Sequence, residues 1–261
     1  MLRTRLLTSL VALPAVLALV VLPPGWFFTV FIGALGAIGL YEIGLMTGAR
    51  RAWPILVLIA AGGTPMVLML YRGRGSWIVA VSVLIAMLAL VVIVAIGGAD
   101  GEREGAELTI LGALYVGTTF PYFALLRNRE GGINRLLLML LLVFASDTGA
   151  YFAGRSLGRI KLAPKVSPHK TVEGALGGLL LAVAAGWLLG RLLVPALPLK
   201  VLLVTSAAIG ATAQLGDLAN SAYKRVAGVK DSGWIFPGHG GLLDRASSLV
   251  FAVVFTYYYT W

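Results

Sequence analysis

The segment QLGDLANSAYKRVAGVKDSGWIFPGHGGLLDRASS, residues 214–248, concentrates charge between two apolar stretches of the chain. It carries three aspartates and four basic side chains, although only 12% of the whole sequence is charged. Ionisable groups near a bilayer are energetically expensive, and they usually mark a functional site or a water-filled cavity. We therefore expect this segment to organise the chemistry of the protein.

The composition on either side of this segment is that of a membrane protein. Of 261 residues, 59% are hydrophobic, and the mean hydropathy is +0.92, which places the chain outside the soluble globular range. Apolar stretches of about 20 residues predict transmembrane helices. We expect an all-α, polytopic integral membrane protein with about nine spans, at residues 6–22, 26–46, 54–71, 77–97, 106–126, 133–153, 172–193, 199–220 and 241–260.

The net charge is +10. We attribute it to basic loops that face anionic lipid, and we do not expect a nucleic-acid partner. Lys and Arg accumulate in cytoplasmic loops. With a cytoplasmic N-terminus, the nine spans place 13 Lys and Arg residues on the cytoplasmic side and 7 on the other. The sequence thus predicts a multi-pass protein of the cell (inner, or cytoplasmic) membrane, whose N-terminus and loops 154–171 and 221–240 are cytoplasmic.

The polar groups divide the chain into two parts. Residues 1–130 read as a transmembrane scaffold with little chemistry, and residues 131–261 as transmembrane helices that carry the catalytic loops. Glu42 is an exception, because it lies inside the second predicted span; a buried polar contact and a functional role are both open. The chain has no cysteine, so a thiolate metal site and a cysteine nucleophile are excluded.

The predicted seventh span carries five small residues at a spacing of four. Such a spacing places them in one stripe along a helix and permits close helix contact. Packing within the chain and a homodimer seam both account for it. The residues are Gly174, Gly178, Ala182, Gly186 and Gly190.

A second polar cluster, residues 146–174, is predicted to reach the same side of the membrane as residues 214–248. Together the two supply carboxylates, which suit a hard cation such as Mg²⁺, and Lys and Arg groups, which suit phosphate oxygens. This combination is typical of phosphoryl or nucleotidyl transfer. The glycine-rich run 238–241 before the last helix could approach an anion. The sequence contains neither a Walker P-loop motif nor an HExxH zinc motif.

The order S-x-x-K-R, K-D-S-G and P-G-H-G-G-x-x-D-R resembles bacterial phosphatidate cytidylyltransferases, also called CDP-diglyceride synthases. The upstream runs KLAPKVSP and KTVEG, and the run QLGD, are also similar to that family. The matching residues of the three motifs are Ser221, Lys224, Arg225, Lys230, Asp231, Ser232, Gly233, Pro237, Gly238, His239, Gly240, Gly241, Asp244 and Arg245.

The resemblance implies that CTP and phosphatidic acid, a membrane lipid, react to give CDP-diacylglycerol and pyrophosphate. It implies Mg²⁺ bound by Asp217 and Asp244, with a second metal ion as an open option. Lys165, Lys170 and the basic groups of the motif would contact phosphates, while Asp147 and Asp231 would be further ligands or would orient lysines. The implied catalytic set is Asp217, Lys224, Arg225, Lys230, Asp231, Asp244 and Arg245. The implied substrate-binding set is Asp147, Lys165, Ser167, Lys170, Ser221, His239, Gly240 and Gly241.

The chain departs from the family pattern at one position. The family motif ends D-R-x-D, whereas this sequence reads Asp244-Arg245-Ala246-Ser247. Residues at i and i+3 share a helix face, so Ser247 replaces a second carboxylate with a weak neutral ligand. A variant with altered metal affinity, an engineered substitution and a member with reduced activity are all open. The rival functions are another CTP-dependent lipid enzyme, such as a polyprenol or dolichol kinase relative, and a non-catalytic membrane protein.

Overall fold

The computed structural model describes residues 14–48, 63–72, 87, 105–235 and 240–259. Helices account for about four fifths of these residues, and residues 14–21 form a first helical stretch. The named elements are α1 Gly25–Met46, α2 Thr64–Arg72, α3 Gly105–Thr119, α4 Pro121–Arg127, α5 Gly132–Leu157, β1 Lys161–Ala163, β2 Ser167–Thr171, α6 Val172–Leu193, α7 Leu199–Val226 and α8 Leu242–Tyr259.

Five stretches of the described chain are long and apolar enough to cross a membrane. They are Gly25–Met46, Glu107–Arg127, Gly132–Leu157, Val172–Leu193 and Leu199–Val226. The prediction of an all-α polytopic membrane protein is confirmed. The count of nine is not, because predicted spans 6–22, 54–71 and 77–97 lie partly or largely outside the described residues, and α8 is not among the five.

The predicted span 106–126 contains two helices with a proline at their junction. α3 ends at Thr119, and α4 begins at Pro121, the first helical position. Proline lacks an N–H, but at this position the missing donor breaks no intrahelical hydrogen bond. The two helices therefore follow one another across a single apolar stretch.

Small residues allow α6 to pack closely against its neighbours. Every residue of the predicted glycine and alanine stripe on α6 is buried. A Cβ placed on Gly149 of α5 would lie 2.6 Å from the backbone oxygen of Gly177, and one on Gly178 would lie 2.8 Å from that of Ser146. The stripe thus packs within the chain, the first of the two predicted options. Elsewhere α6 exposes large apolar side chains, including Leu180, Trp187, Leu188 and Leu192.

The helix ends gather into two groups. In one group, Arg127 donates to the backbone oxygens of Val20 and Pro23, and Arg129 donates to that of Tyr257. In the other, the Tyr223 hydroxyl donates to the backbone oxygen of Leu108 at 2.7 Å. This second group, where α5 and α7 end and α6 and α8 begin, holds the polar residues singled out by the sequence.

The segment predicted as loop 154–171 is more ordered than a loop. α5 continues to Leu157, and an antiparallel hairpin follows, in which Lys161 faces Thr171 and Ala163 faces Ser167. Val166, in the hairpin turn, is fully buried and fixes the hairpin against the helices. The hairpin leads directly into α6, where the Thr171 hydroxyl accepts the Gly174 N–H at 3.1 Å, an N-cap contact.

Candidate active site

The length of α7 places the first motif on a helix and corrects the predicted loop 221–240. α7 runs to Val226, so that Ser221, Lys224 and Arg225 occupy its last two turns. Arg225 donates from Nε to the Val166 oxygen at 3.3 Å, which joins α7 to the hairpin. Asn220 donates to the Leu243 oxygen at 3.2 Å, which joins α7 to α8. The motif side chains therefore project from a rigid support.

Asp244, in the first turn of α8, accepts hydrogen bonds on both carboxylate oxygens. Oδ1 is paired with the Lys224 ammonium. Oδ2 accepts the Ser232 N–H at 2.8 Å, the Ser232 hydroxyl at 3.1 Å and the Gly241 N–H at 3.0 Å. The side chains of Lys224 and Asp244 are only 15% and 10% exposed. This ion pair thus lies in a largely desolvated, well-satisfied environment.

Asp217, in α7, has a more open surrounding. Its Oδ2 lies 2.8 Å from Nζ of Lys170, a residue of β2, and the two side chains are 41% and 25% exposed. Its Oδ1 accepts the Ser247 hydroxyl at 3.1 Å. The hairpin, α7 and α8 thus each contribute one polar group to this point, and the exposed part of Asp217 is accessible to a ligand.

Asp147 of α5 is the third predicted aspartate of this cluster. Its Oδ2 accepts the Ser248 hydroxyl at 3.1 Å, and its charge interacts with those of Asp217 and Lys170. Asp147 and Lys170 come from the segment 146–174, and Asp217 from the segment 214–248. The structure therefore brings the two segments together.

Ser247 contacts the carboxylate of Asp217, one of the two residues predicted to bind metal. Its side chain is buried, its hydroxyl proton is directed to Asp217, and its Oγ is 3.4 Å from the backbone oxygen of Asp244. A hydroxyl oxygen keeps lone pairs while it donates. Ser247 therefore supplies a neutral oxygen beside Asp217 and adds no negative charge.

Other predicted residues lie at the edge of this cluster. Gly240 has φ +78°, a backbone conformation that favours glycine. A Cβ there would also lie only 2.6 Å from Oδ2 of Asp244, so a side chain is disfavoured both by the backbone and by lack of space. The Gly241 N–H, predicted to be available to an anion, is bonded to Asp244. His239 lies outside the described residues. Ser167 and Ser221 are half-buried, and the exposed members are Lys165, Lys230, Asp231 and Arg245.

Three polar contacts of the cluster involve residues outside the predicted sets. Ser232 and Ser248 each donate a hydrogen bond to a predicted aspartate. Glu42 of α1 accepts a hydrogen bond from the Ser232 hydroxyl at 2.9 Å. The sequence held one signal for Glu42, an acid inside an apolar span. Ser232 had a signal in its place in the K-D-S-G motif, whereas Ser248 had none, since serine is common in such helices.

A hard cation fits these oxygen donors. Among residues 14–48, 63–72, 87, 105–235 and 240–259, no three acidic or imidazole groups already converge on one point. Mg²⁺ is commonly bound by one or two carboxylates, with substrate phosphates and water completing its shell. Asp217 meets this requirement through its exposed face, and Oδ1 of Asp244 has one described donor on it.

Comparison with known proteins identifies the family. The cytidylyltransferase family matches residues 3–261 of the chain. A phosphatidate cytidylyltransferase of Bacillus subtilis (strain 168) is 33% identical over 98% of this chain and 96% of its own length. Proteins of the same name from Staphylococcus epidermidis and Staphylococcus saprophyticus are 34% and 35% identical, over 96% of either chain in each comparison. The end-to-end match and the motif residues gathered at one end of the helices have one explanation: this chain is a nucleotidyltransferase enzyme that belongs to the cytidylyltransferase family.

Proposed function

We propose that this protein transfers the cytidylyl group of CTP to phosphatidic acid. A phosphate oxygen of phosphatidic acid would form a bond to the α-phosphorus of CTP. The bond from that phosphorus to the oxygen bridging the α- and β-phosphates would break, and pyrophosphate would leave with the electron pair. The attacking phosphate is already ionised near neutral pH, so the reaction requires no serine or cysteine nucleophile.

The observation that carries this proposal is the placement of ammonium groups beside carboxylates at one end of the helices. Lys170 and Lys224 come from the hairpin and from α7, and each is paired with an aspartate. Bringing two anionic substrates together requires positive charge that neutralises their repulsion and stabilises the leaving pyrophosphate. The name shared by the relatives supports the same reaction.

The two lysines would have different roles. Lys170 is paired with a half-exposed carboxylate, and although its ammonium nitrogen is buried, phosphate oxygens could replace Asp217 as its partner. Lys224 is held in the desolvated pair with Asp244, so it would act as a fixed positive charge at the base of the site. Arg225, beside it on α7, would add a planar donor that suits phosphate oxygens. The hairpin would thus supply a cation that can bind phosphate, and α7 a cation that stays fixed in the site.

A divalent cation, which we propose to be Mg²⁺, would be held by Asp217 and Asp244, with Asp147 close by. When bound, it would neutralise phosphate charge and stabilise the charge that develops on pyrophosphate. The carboxylate and hydroxyl groups of this cluster are oxygen donors, which suits Mg²⁺. A second ion would require Asp147 as an additional ligand.

The site would lie at the cytoplasmic surface of the cell membrane. The bias of 13 to 7 in Lys and Arg supports this orientation. Phosphatidic acid would enter sideways from the bilayer, and CTP from the aqueous phase. A homodimer remains a prediction, and the stripe on α6 does not support it because those residues are buried within the chain.

The test is an assay of purified protein with CTP, phosphatidic acid and Mg²⁺. We expect CDP-diacylglycerol and pyrophosphate in equal amounts. Release of CDP with a newly phosphorylated lipid alcohol, when one is supplied, would instead identify a lipid kinase. A folded protein that forms neither product would refute the proposal.

Two variants test whether Asp217 and Asp244 bind the metal ion. Asp217→Asn and Asp244→Asn should each abolish most of the activity. Glu130→Gln, a neutralised acid exposed in the loop before α5, is the matched control and should be unaffected. Near-normal activity of either aspartate variant would remove that residue from the metal site.

A further inference from the structure

Glu42 is a fully buried carboxylate for which the proposed reaction has no direct role. It lies on α1, in the part of the chain expected to contain little chemistry, and its exposure is 0%. Burying a carboxylate is costly unless its oxygens are well bonded. Its partners therefore indicate what the residue does.

The described partners of Glu42 are donors from the C-terminal part of the chain. Oε1 accepts the Leu242 N–H at 2.6 Å, and Oε2 accepts the Leu243 N–H at 2.9 Å. These are two of the backbone donors that the first turn of a helix leaves unpaired. Glu42 thus caps α8 from a different helix, and its negative charge is favourable at that end of the helix dipole.

The third partner connects Glu42 to the proposed site. The Ser232 hydroxyl lies 2.9 Å from Oε2 of Glu42 and 3.1 Å from Oδ2 of Asp244. A hydroxyl has one proton and two lone pairs, so the two carboxylates compete for one donor. The position of Ser232 therefore depends on both, and Asp244 is coupled to Glu42 through it.

Two motif glycines are fitted closely around this carboxylate. A Cβ on Gly241 would lie 2.5 Å from Oε1 and 2.6 Å from Oε2 of Glu42, closer than a real Cβ approaches any atom. A Cβ on Gly233 would lie 3.0 Å from Oε1. These glycines belong to the K-D-S-G and G-H-G-G motifs. Their lack of a side chain thus allows the backbone to close around Glu42.

We propose that Glu42 is a positioning residue for the nucleotidyl transfer, which fixes the start of α8 and thereby the orientation of Asp244. The inference rests on the proposed function of Asp244. It requires glutamate rather than glutamine, because three donors face the side chain and an ionised carboxylate only accepts. Glutamine would turn an N–H₂ group toward at least one of them.

The test compares Glu42→Gln with the exposed-acid control Glu130→Gln. Loss of a hydrogen bond to a charged group predicts a fall in kcat of about 10- to 100-fold per folded molecule, with the KM for CTP little changed. Amide hydrogen exchange in the peptide that contains Leu242 and Leu243 should be faster in Glu42→Gln than in the wild-type protein. It should be unchanged in Glu130→Gln. Glu42→Asp, which keeps the acceptor-only group, should recover part of kcat.

Each outcome decides the proposal. Equal kcat and equal exchange in the two glutamine variants would overturn it. Faster exchange with unchanged kcat would make Glu42 a structural cap only, which also overturns it. If Glu42→Gln does not fold, Ser232→Ala replaces it, and an unchanged kcat in that variant is the contrary result. A wild-type protein without transferase activity would refute the proposed function, whereas the exchange experiment tests the cap independently.

Discussion

Replacing Lys224 by methionine removes the positive partner of Asp244 while preserving most of the side-chain volume. The remaining donors to Asp244 are the N–H and hydroxyl of Ser232 and the N–H of Gly241, all neutral. The carboxylate would keep its burial and lose its counter-charge. We expect Lys224→Met to destabilise the folded protein as well as to abolish activity.

The magnitude follows from the exposure of the two ion pairs. Removing one partner of a fully buried pair costs about 3–5 kcal/mol. The Lys224–Asp244 pair is 15% and 10% exposed, and two backbone N–H bonds and a hydroxyl shared with Glu42 remain, so we expect about 2–3 kcal/mol. The Lys170–Asp217 pair is 25% and 41% exposed, with the Lys170 ammonium nitrogen buried, and for it we expect a smaller loss of about 1 kcal/mol. Lys170→Met is thus a matched control within the same site.

The assay is the apparent thermal unfolding of each purified variant in the same detergent, together with its transferase activity. Both variants should lose activity, because Lys170 is proposed to contact phosphate and Lys224 to supply a fixed positive charge beside Asp244. Only Lys224→Met should unfold at a clearly lower temperature. Equal thermal shifts, or a larger shift in Lys170→Met, would refute the distinction between a fixed and an exchangeable lysine.

Two further predictions concern particular contacts. Ser247→Asp places a second carboxylate beside Asp217, which is 3.1 Å from the present hydroxyl; we expect lower thermal stability without a divalent cation and half-maximal activity at a lower Mg²⁺ concentration. An unchanged Mg²⁺ titration would contradict the interpretation of that position. Gly149→Ala drives a methyl group to within 2.6 Å of the Gly177 oxygen, and because backbone cannot swing away, we expect a loss of about 1–3 kcal/mol. Wild-type thermal stability would show that α5 and α6 adjust freely.

The membrane helices were largely predictable from local sequence. In hydrocarbon a backbone must satisfy its own hydrogen bonds, so an apolar stretch of sufficient length forms a helix. α6 has the predicted bounds, 172–193, and α1 and α5 begin within one residue of theirs. The ends of α5 and α7 were less predictable, because hydropathy marks where the apolar stretch ends, whereas helical hydrogen bonds continue beyond it. α7 therefore extends from the predicted residue 220 to Val226.

The sequence by itself determined the class of protein and the family, because these depend on composition and on motif spacing, and it pointed to Asp217, Lys224 and Asp244. The tertiary structure alone decided how those residues pair: Lys170 with Asp217, Lys224 with Asp244, and Ser247 with Asp217. It also brought Glu42 against Leu242, 200 positions away along the chain. Such a contact has no local pattern, since a carboxylate is matched to helix N–H donors only after the chain has folded. Residues 214–248 therefore carry most of the proposed site, and their proposed positioning involves Glu42 of α1.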